Sequence, residues 1–106
     1  MDNVGFILRQ VDHLTAPTIV CEGCGEIIND YQLAWVVWSK EELKDGERTK
    51  ALVVCKKNRC NSKQPYRDFP SMEMRDYLIN LCRNAGVKTE QQFREAFEFT
   101  QLADNI

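Results

Sequence analysis

The sequence predicts a small α+β domain: a β-hairpin and cysteine knuckle clamped by four cysteines, with an N-terminal strand before them and two C-terminal helices after. Three observations carry this reading. Two close cysteine pairs, Cys21/Cys24 and Cys55/Cys60, stand 30 residues apart. The segment between them is rich in β-branched and aromatic residues. Beyond residue 70, apolar residues recur at spacings of three and four, the period of a helix face. At 106 residues the chain is one domain by size, and so short a chain buries a modest core that a metal clip commonly supplements.

Taken in order, Phe6-Ile7-Leu8 begins a first strand that runs to about Val11. Leu14-Thr15-Ala16-Pro17 is expected to turn the chain, and Thr18-Ile19-Val20 to form a short strand feeding the knuckle. Leu33 to Ser39 reads as a strand that is apolar on both faces, with Leu33, Trp35 and Val37 on one side and Ala34, Val36 and Trp38 on the other. A small antiparallel sheet with one solvated face needs only one such side. One face is therefore expected to be an interface, with one tryptophan in the core and the other near the rim. Lys40 to Thr49 is a charged connection with Asp45-Gly46 at its tip, and Lys50 to Val54 returns as a strand that ends on Cys55.

After Cys60 there is room for one short helical turn before Pro65. Ser71 then reads as the N-cap of a helix, with Glu73 and Asp76 in its first turns. Met74, Leu78, Leu81, Cys82 and Ala85 form its buried stripe, and Gly86 supplies the left-handed residue that ends it. Thr89-Glu90-Gln91-Gln92 has the form of a capping box for a second helix, whose stripe is Phe93, Ala96 and Phe97. Leu102 to Ile106 is expected to fray. Residues 70–102 thus form a helical hairpin packed on a module at 18–64, all within one domain.

The cysteines carry the chemistry. A two-residue gap, with Gly23 and Gly25 beside it, lets a tight turn aim Cys21 and Cys24 at one ion. The four-residue gap between Cys55 and Cys60 can close on the same ion. Four thiolates fill a tetrahedral coordination sphere and leave no position for a substrate, so the site reads as structural, with one zinc per chain. A rubredoxin-like iron site wants two-residue gaps in both pairs. The odd total of five cysteines at metal-like spacing suits a reducing cytoplasm better than a disulfide framework.

With knuckle, hairpin and second pair in this order, residues 18–64 resemble the treble-clef group of zinc proteins, a zinc ribbon being the alternative. The resemblance implies a zinc-bound scaffold of the kind that binds nucleic acid, proteins or ubiquitin-like partners. It names no family and gives no function.

The remaining residues add less. Cys82 belongs to a helix stripe and reads as core; His13, the sole histidine, reads as a surface turn residue. Lys56, Lys57, Arg59, Lys63 and Arg67 form a basic cluster around Tyr66. They can contact phosphates with an aromatic at hand for stacking, or compensate the charge of a metal tetrathiolate; the second is favoured because the rest of the surface is acidic. The formal charge of −2, about −4 with four thiolates and a divalent ion, argues against wholesale binding to nucleic acid or membrane. No stretch has the length and apolarity of a membrane span, and no phosphate loop or nucleophile pair points to an enzyme. Ala85-Gly86-Val87 suits an ordinary helical hairpin better than a DNA-reading pair, since Arg94 is the only cation of the second helix. The expected function is a non-catalytic module that binds a protein or itself. Nucleic-acid binding and thiol/zinc redox sensing are the alternatives.

Overall fold

The computed structural model describes residues 3–40 and 49–98, so Asp45-Gly46, the tail at Leu102–Ile106 and the side chain of Phe97 fall outside it. Strands β1 (Gly5–Val11) and β2 (Leu14–Val20) form an antiparallel hairpin, and the two-residue β3 (Ile27–Ile28) pairs with the end of β2. A second sheet has β4 (Ala34–Val37) at its centre, flanked by β5 (Leu52–Cys55) and β6 (Ser71–Glu73), all antiparallel. Two helices follow, α1 (Met74–Asn84) and α2 (Glu90–Glu98). Single 3-10 turns at Tyr31–Leu33, Cys60–Ser62 and Tyr66–Asp68 fill the connections.

The α+β class and the order of its parts match the sequence reading, with local differences that have physical causes. Leu14–Pro17 is strand, not turn. The turn is Asp12-His13, both with positive φ (51° and 69°), the geometry that suits a two-residue hairpin to the twist of its strands. Val11 and Leu14 flank that turn as a pair, so by alternation Leu8 and Pro17 face each other where no ladder bond runs between them. Beyond Pro17 on its other side, β3 pairs only with Ile19 and Val20. The proline's missing N–H therefore costs the sheet nothing.

Ser71 is likewise not a helix cap. The open edge of β4 offers backbone partners to residues 71–73, pairing Val36 with Met72, and that ladder displaces the helix start to Met74. Glu73 becomes the N-cap residue without a side-chain capping bond. Where no such competitor exists, the local signals are realised. Gly86 (φ 98°) ends α1 in a Schellman motif, Val87 N–H donating to the Cys82 carbonyl at 2.8 Å and Gly86 N–H to that of Arg83 at 3.1 Å. Thr89 Oγ1 accepts from Gln92 N–H at 3.1 Å while Gln92 Oε1 accepts from Thr89 N–H at 3.0 Å, a reciprocal capping box.

The core lies between and around the two sheets. Val36, Val37, Val53 and Val54 are all buried, so both faces of the β4–β5 pair are covered within the chain. That removes the expected interface on the hairpin. Neither tryptophan is the core residue: Trp35 and Trp38 are both half-buried, because the fully buried places beside them are filled by valines. The helical stripe is covered only at its beginning. Met74 is fully buried and Tyr77 half-buried, Tyr77 stacking on Phe6 of β1 with ring centroids 5.9 Å apart. Leu78 and Leu81 are exposed.

This distribution predicts an uneven response to truncation along one stripe. Met74→Ala should destabilise the fold by about 2–5 kcal/mol, whereas Leu81→Ala, one face of the same helix, should stay within about 0.5 kcal/mol. Urea titrations followed by tryptophan fluorescence measure both.

Candidate metal centre

Three segments bring the sulfurs together. Cys21 follows β2 directly, and its N–H donates to the Glu26 carbonyl while its own carbonyl accepts from Gly25 N–H, both at 2.9 Å. Gly25 sits at φ +78°, the left-handed residue that turns the chain after Cys24 and closes the knuckle. Gly23 is needed for a different reason. A Cβ there would lie 2.8 Å from Cys60 Cβ and 2.9 Å from its Sγ. Cys55 ends β5, and a turn through Arg59 (φ 53°) closed by Arg59 N–H to the Lys56 carbonyl at 3.0 Å brings in Cys60. The knuckle is locked onto the hairpin by Glu22 N–H donating to the Val53 carbonyl at 2.9 Å.

The four Sγ atoms of Cys21, Cys24, Cys55 and Cys60 all lie within 4.8 Å of one another, and they are the metal-holding group found among the described residues. Cys24–Cys55 and Cys55–Cys60 are each 3.7 Å apart. A zinc ion bonded to four sulfurs at about 2.3 Å sets a tetrahedron edge of about 3.8 Å, so the donor set fits such an ion. A disulfide would instead draw two sulfurs to about 2.05 Å, and all five cysteines are free thiols. When bound, the ion would cross-link knuckle and hairpin and carry the charge that four thiolates need. His13 is exposed and Cys82 lies half-buried on α1; neither belongs to the group.

Burial is unequal. Cys21, Cys55 and Cys60 are buried, and Cys24 is exposed. Burial pushes the Cys55 and Cys60 thiols up, and for Cys60 the neighbouring thiols add to it, since closely packed sulfurs resist ionising together without a cation. Burial also opposes ionisation of Cys24, but hydrogen bonds from Asn58, the Glu26 backbone and the Cys21 and Cys55 thiols outweigh it and lower that thiol to about 7. Cys21 Sγ accepts from the N–H groups of Gly23 (3.3 Å) and Cys55 (3.2 Å). Asn58 Nδ2 donates to Cys24 Sγ at 3.4 Å and also reaches the Glu26 carboxylate.

The basic cluster divides. Lys56 pairs with Glu73 at 2.6 Å and lies over the Trp35 ring, 4.2 Å from its centroid. Lys57 approaches Glu26 at 3.9 Å. Arg59, Lys63 and Arg67 form no ion pair among the described residues, and none of the five cations donates to a sulfur there. Tyr66 is half-buried, donates its hydroxyl to the Glu22 carbonyl at 3.4 Å and packs edge-on against Phe69. Asn58, which the charge pattern hid, is the side-chain donor to the centre. An amide inside the turn between two ligand cysteines was the available signal.

Removing one ligand should remove the metal: Cys60→Ser is expected to drop bound zinc to near zero and lose the cooperative unfolding transition, while Cys82→Ala keeps full stoichiometry. Gly23→Ala should lower stability by about 1–3 kcal/mol through overpacking against Cys60. Metal analysis by mass spectrometry and thermal melts with and without chelator check all three.

No protein-family model matches this chain, and neither a curated protein nor a solved structure matches it significantly.

Proposed function

We propose that the chain is a non-catalytic zinc-binding interaction module of treble-clef type that acts in the cytoplasm by binding another protein. One zinc is held by Cys21, Cys24, Cys55 and Cys60. Zinc is favoured over iron because it tolerates the unequal two- and four-residue loops, and free thiols at these spacings suit a reducing compartment. The order of knuckle, β4–β5 hairpin and second pair supports the treble-clef assignment. Cys60 departs from that pattern by opening a 3-10 turn rather than an α-helix. No helix among the described residues is long and apolar enough to cross a membrane.

The observation that carries the protein-binding reading is the bare apolar surface of the helices. Leu78, Ile79 and Leu81 of α1 and Phe93 of α2 are exposed, while the core is complete without them. α2 carries Glu90, Glu95 and Glu98 against Arg94, which is paired to Glu90 at 2.9 Å, while α1 carries Arg75 and Arg83 against Asp76. A partner with an apolar groove and a rim that carries both charge signs fits this surface. Leu81→Asp combined with Phe93→Asp should abolish capture of that partner, or self-association if the partner is a second copy, with zinc content and circular dichroism unchanged. Affinity capture read by mass spectrometry, and light scattering, decide it; unchanged capture by the double variant overturns the reading.

A second reading, nucleic-acid binding, is supported by Arg59, Lys63 and Arg67, the cluster residues that form no ion pair among the described residues and leave the sulfurs to other donors. These three cations would contact phosphates, which position a nucleic acid without reading its bases. Three such contacts give a slope of log affinity against log salt of about −2 to −3. Fluorescence anisotropy on a mixed-sequence oligonucleotide measures that slope. Changing all three residues to Gln should erase it.

A further inference from the structure

We propose that Cys24 is an oxidative modification site for a small uncharged hydroperoxide, with Cys55 as the residue that resolves it, so that one disulfide expels the metal. This rests on the zinc reading above. Three features of the centre carry the inference. Cys24 is the one ligand open to solvent, the other three being buried. Its sulfur has a specific neighbour, Cys55 Sγ, at 3.7 Å. The backbone around it can give: Gly25 follows directly at φ +78° with open space about it, whereas Cys55 is fixed in the β4–β5 ladder.

The charge beside the sulfur selects the oxidant. Glu26 Oε2 lies 3.8 Å from Cys24 Sγ, and Lys57, at 3.9 Å from the other carboxylate oxygen, only partly offsets it. An anionic disulfide such as oxidised glutathione meets that carboxylate on approach; hydrogen peroxide does not. The Asn58 amide at 3.4 Å covers one side of the sulfur and leaves the solvent side bare.

The chemistry balances with the peroxide as the sole oxidant. The Cys24 thiolate attacks one peroxide oxygen, the O–O bond breaks, and the departing hydroxide takes a proton to leave as water, giving a sulfenic acid. The Cys55 thiolate then attacks the Cys24 sulfur. The S–S bond forms, the S–O bond breaks, and a second hydroxide takes a proton and leaves as water. Two thiolates are oxidised by two electrons and one peroxide is reduced to two waters. Closing the bond needs the sulfurs to approach from 3.7 Å to about 2.05 Å, through rotation of the exposed Cys24 side chain and adjustment of the turn at Gly25. Only Cys21 and Cys60 remain as thiolates. Two buried ligands do not hold a tetrahedral ion, and the metal leaves. A dithiol reductant restores the site.

The test uses the zinc-loaded chain with equimolar hydrogen peroxide, following zinc release with a chromogenic chelator and mapping disulfides in tryptic digests. Cys55 and Cys60 fall in different tryptic peptides, so their linkages are separable, and fragmentation distinguishes Cys21 from Cys24. The expected result is one zinc released per Cys24–Cys55 disulfide, reversal by dithiol with added zinc, and release about tenfold slower with oxidised glutathione. Cys82→Ala should behave as wild type. Cys24→Ser should release zinc about tenfold more slowly if it still binds the ion, and if it does not, the wild-type map decides. Zinc retained under peroxide, or a dominant link other than Cys24–Cys55, overturns the proposal and leaves the zinc site standing. A freshly purified protein that binds no zinc at all overturns both.

Discussion

The four sulfurs tie together segments that the rest of the chain holds only lightly. Cys21 leaves the first sheet, Cys55 ends a strand of the second, and Cys60 anchors the loop that leads to β6 and α1. Among the described residues, the two sheets also touch where β1 and β2 meet β5, and Glu22 N–H bonds the Val53 carbonyl. Three of the ten buried residues that form the core cluster are themselves ligand cysteines. The metal centre and the hydrophobic core are therefore one object. Removing the ion takes away a cross-link and leaves closely packed thiols in the middle of the apolar cluster, so metal binding and folding should be linked equilibria.

How the centre is stabilised differs from what a charge count implies. A basic run beside four thiolates invites the idea of direct charge compensation. The sulfurs instead receive backbone N–H groups and the Asn58 amide, directional donors fixed by the turns themselves. The lysine nearest the centre in sequence, Lys56, turns away to Trp35 and Glu73. Ammonium groups on long stems lose rotamer entropy when fixed against a sulfur, whereas a backbone N–H in a turn is already placed. Short-range geometry wins over net charge here.

What was legible in the sequence follows the same division. The cysteine set was legible, because ligand spacing is a local property that survives any tertiary arrangement. So were the Gly86 end of α1 and the Thr89–Gln92 capping box, which satisfy backbone groups within six residues and need no distant partner. The missed features are those decided elsewhere in the chain. Ser71 carries a helix-cap signal, yet the vacant edge of β4 claims its backbone first. Pro17 looks like a turn former, yet register with β1 gives it a harmless place in a strand. One of the two tryptophans looked like core, yet the fully buried positions beside both are filled by valines. Propensity proposes; the competing ladder or packing partner disposes.

The remaining question is how α1 keeps a defined direction with Leu78 and Leu81 of its stripe exposed. Its orientation is set at its root. β6 runs into α1 with no linker, Glu73 being both the last strand residue and the helix N-cap. Met74, the next residue, is fully buried. Glu73 is paired to Lys56, and Lys56 directly follows Cys55 and donates its N–H to the Leu33 carbonyl at 2.8 Å. The carboxylate also stands at the positive end of the α1 dipole, where a negative charge is favourable. A short covalent and electrostatic path thus runs from a metal ligand through Lys56 and Glu73 into the first turn of α1. α1 need not bury Leu78 and Leu81 to be held in place, which is what allows them to remain on the surface.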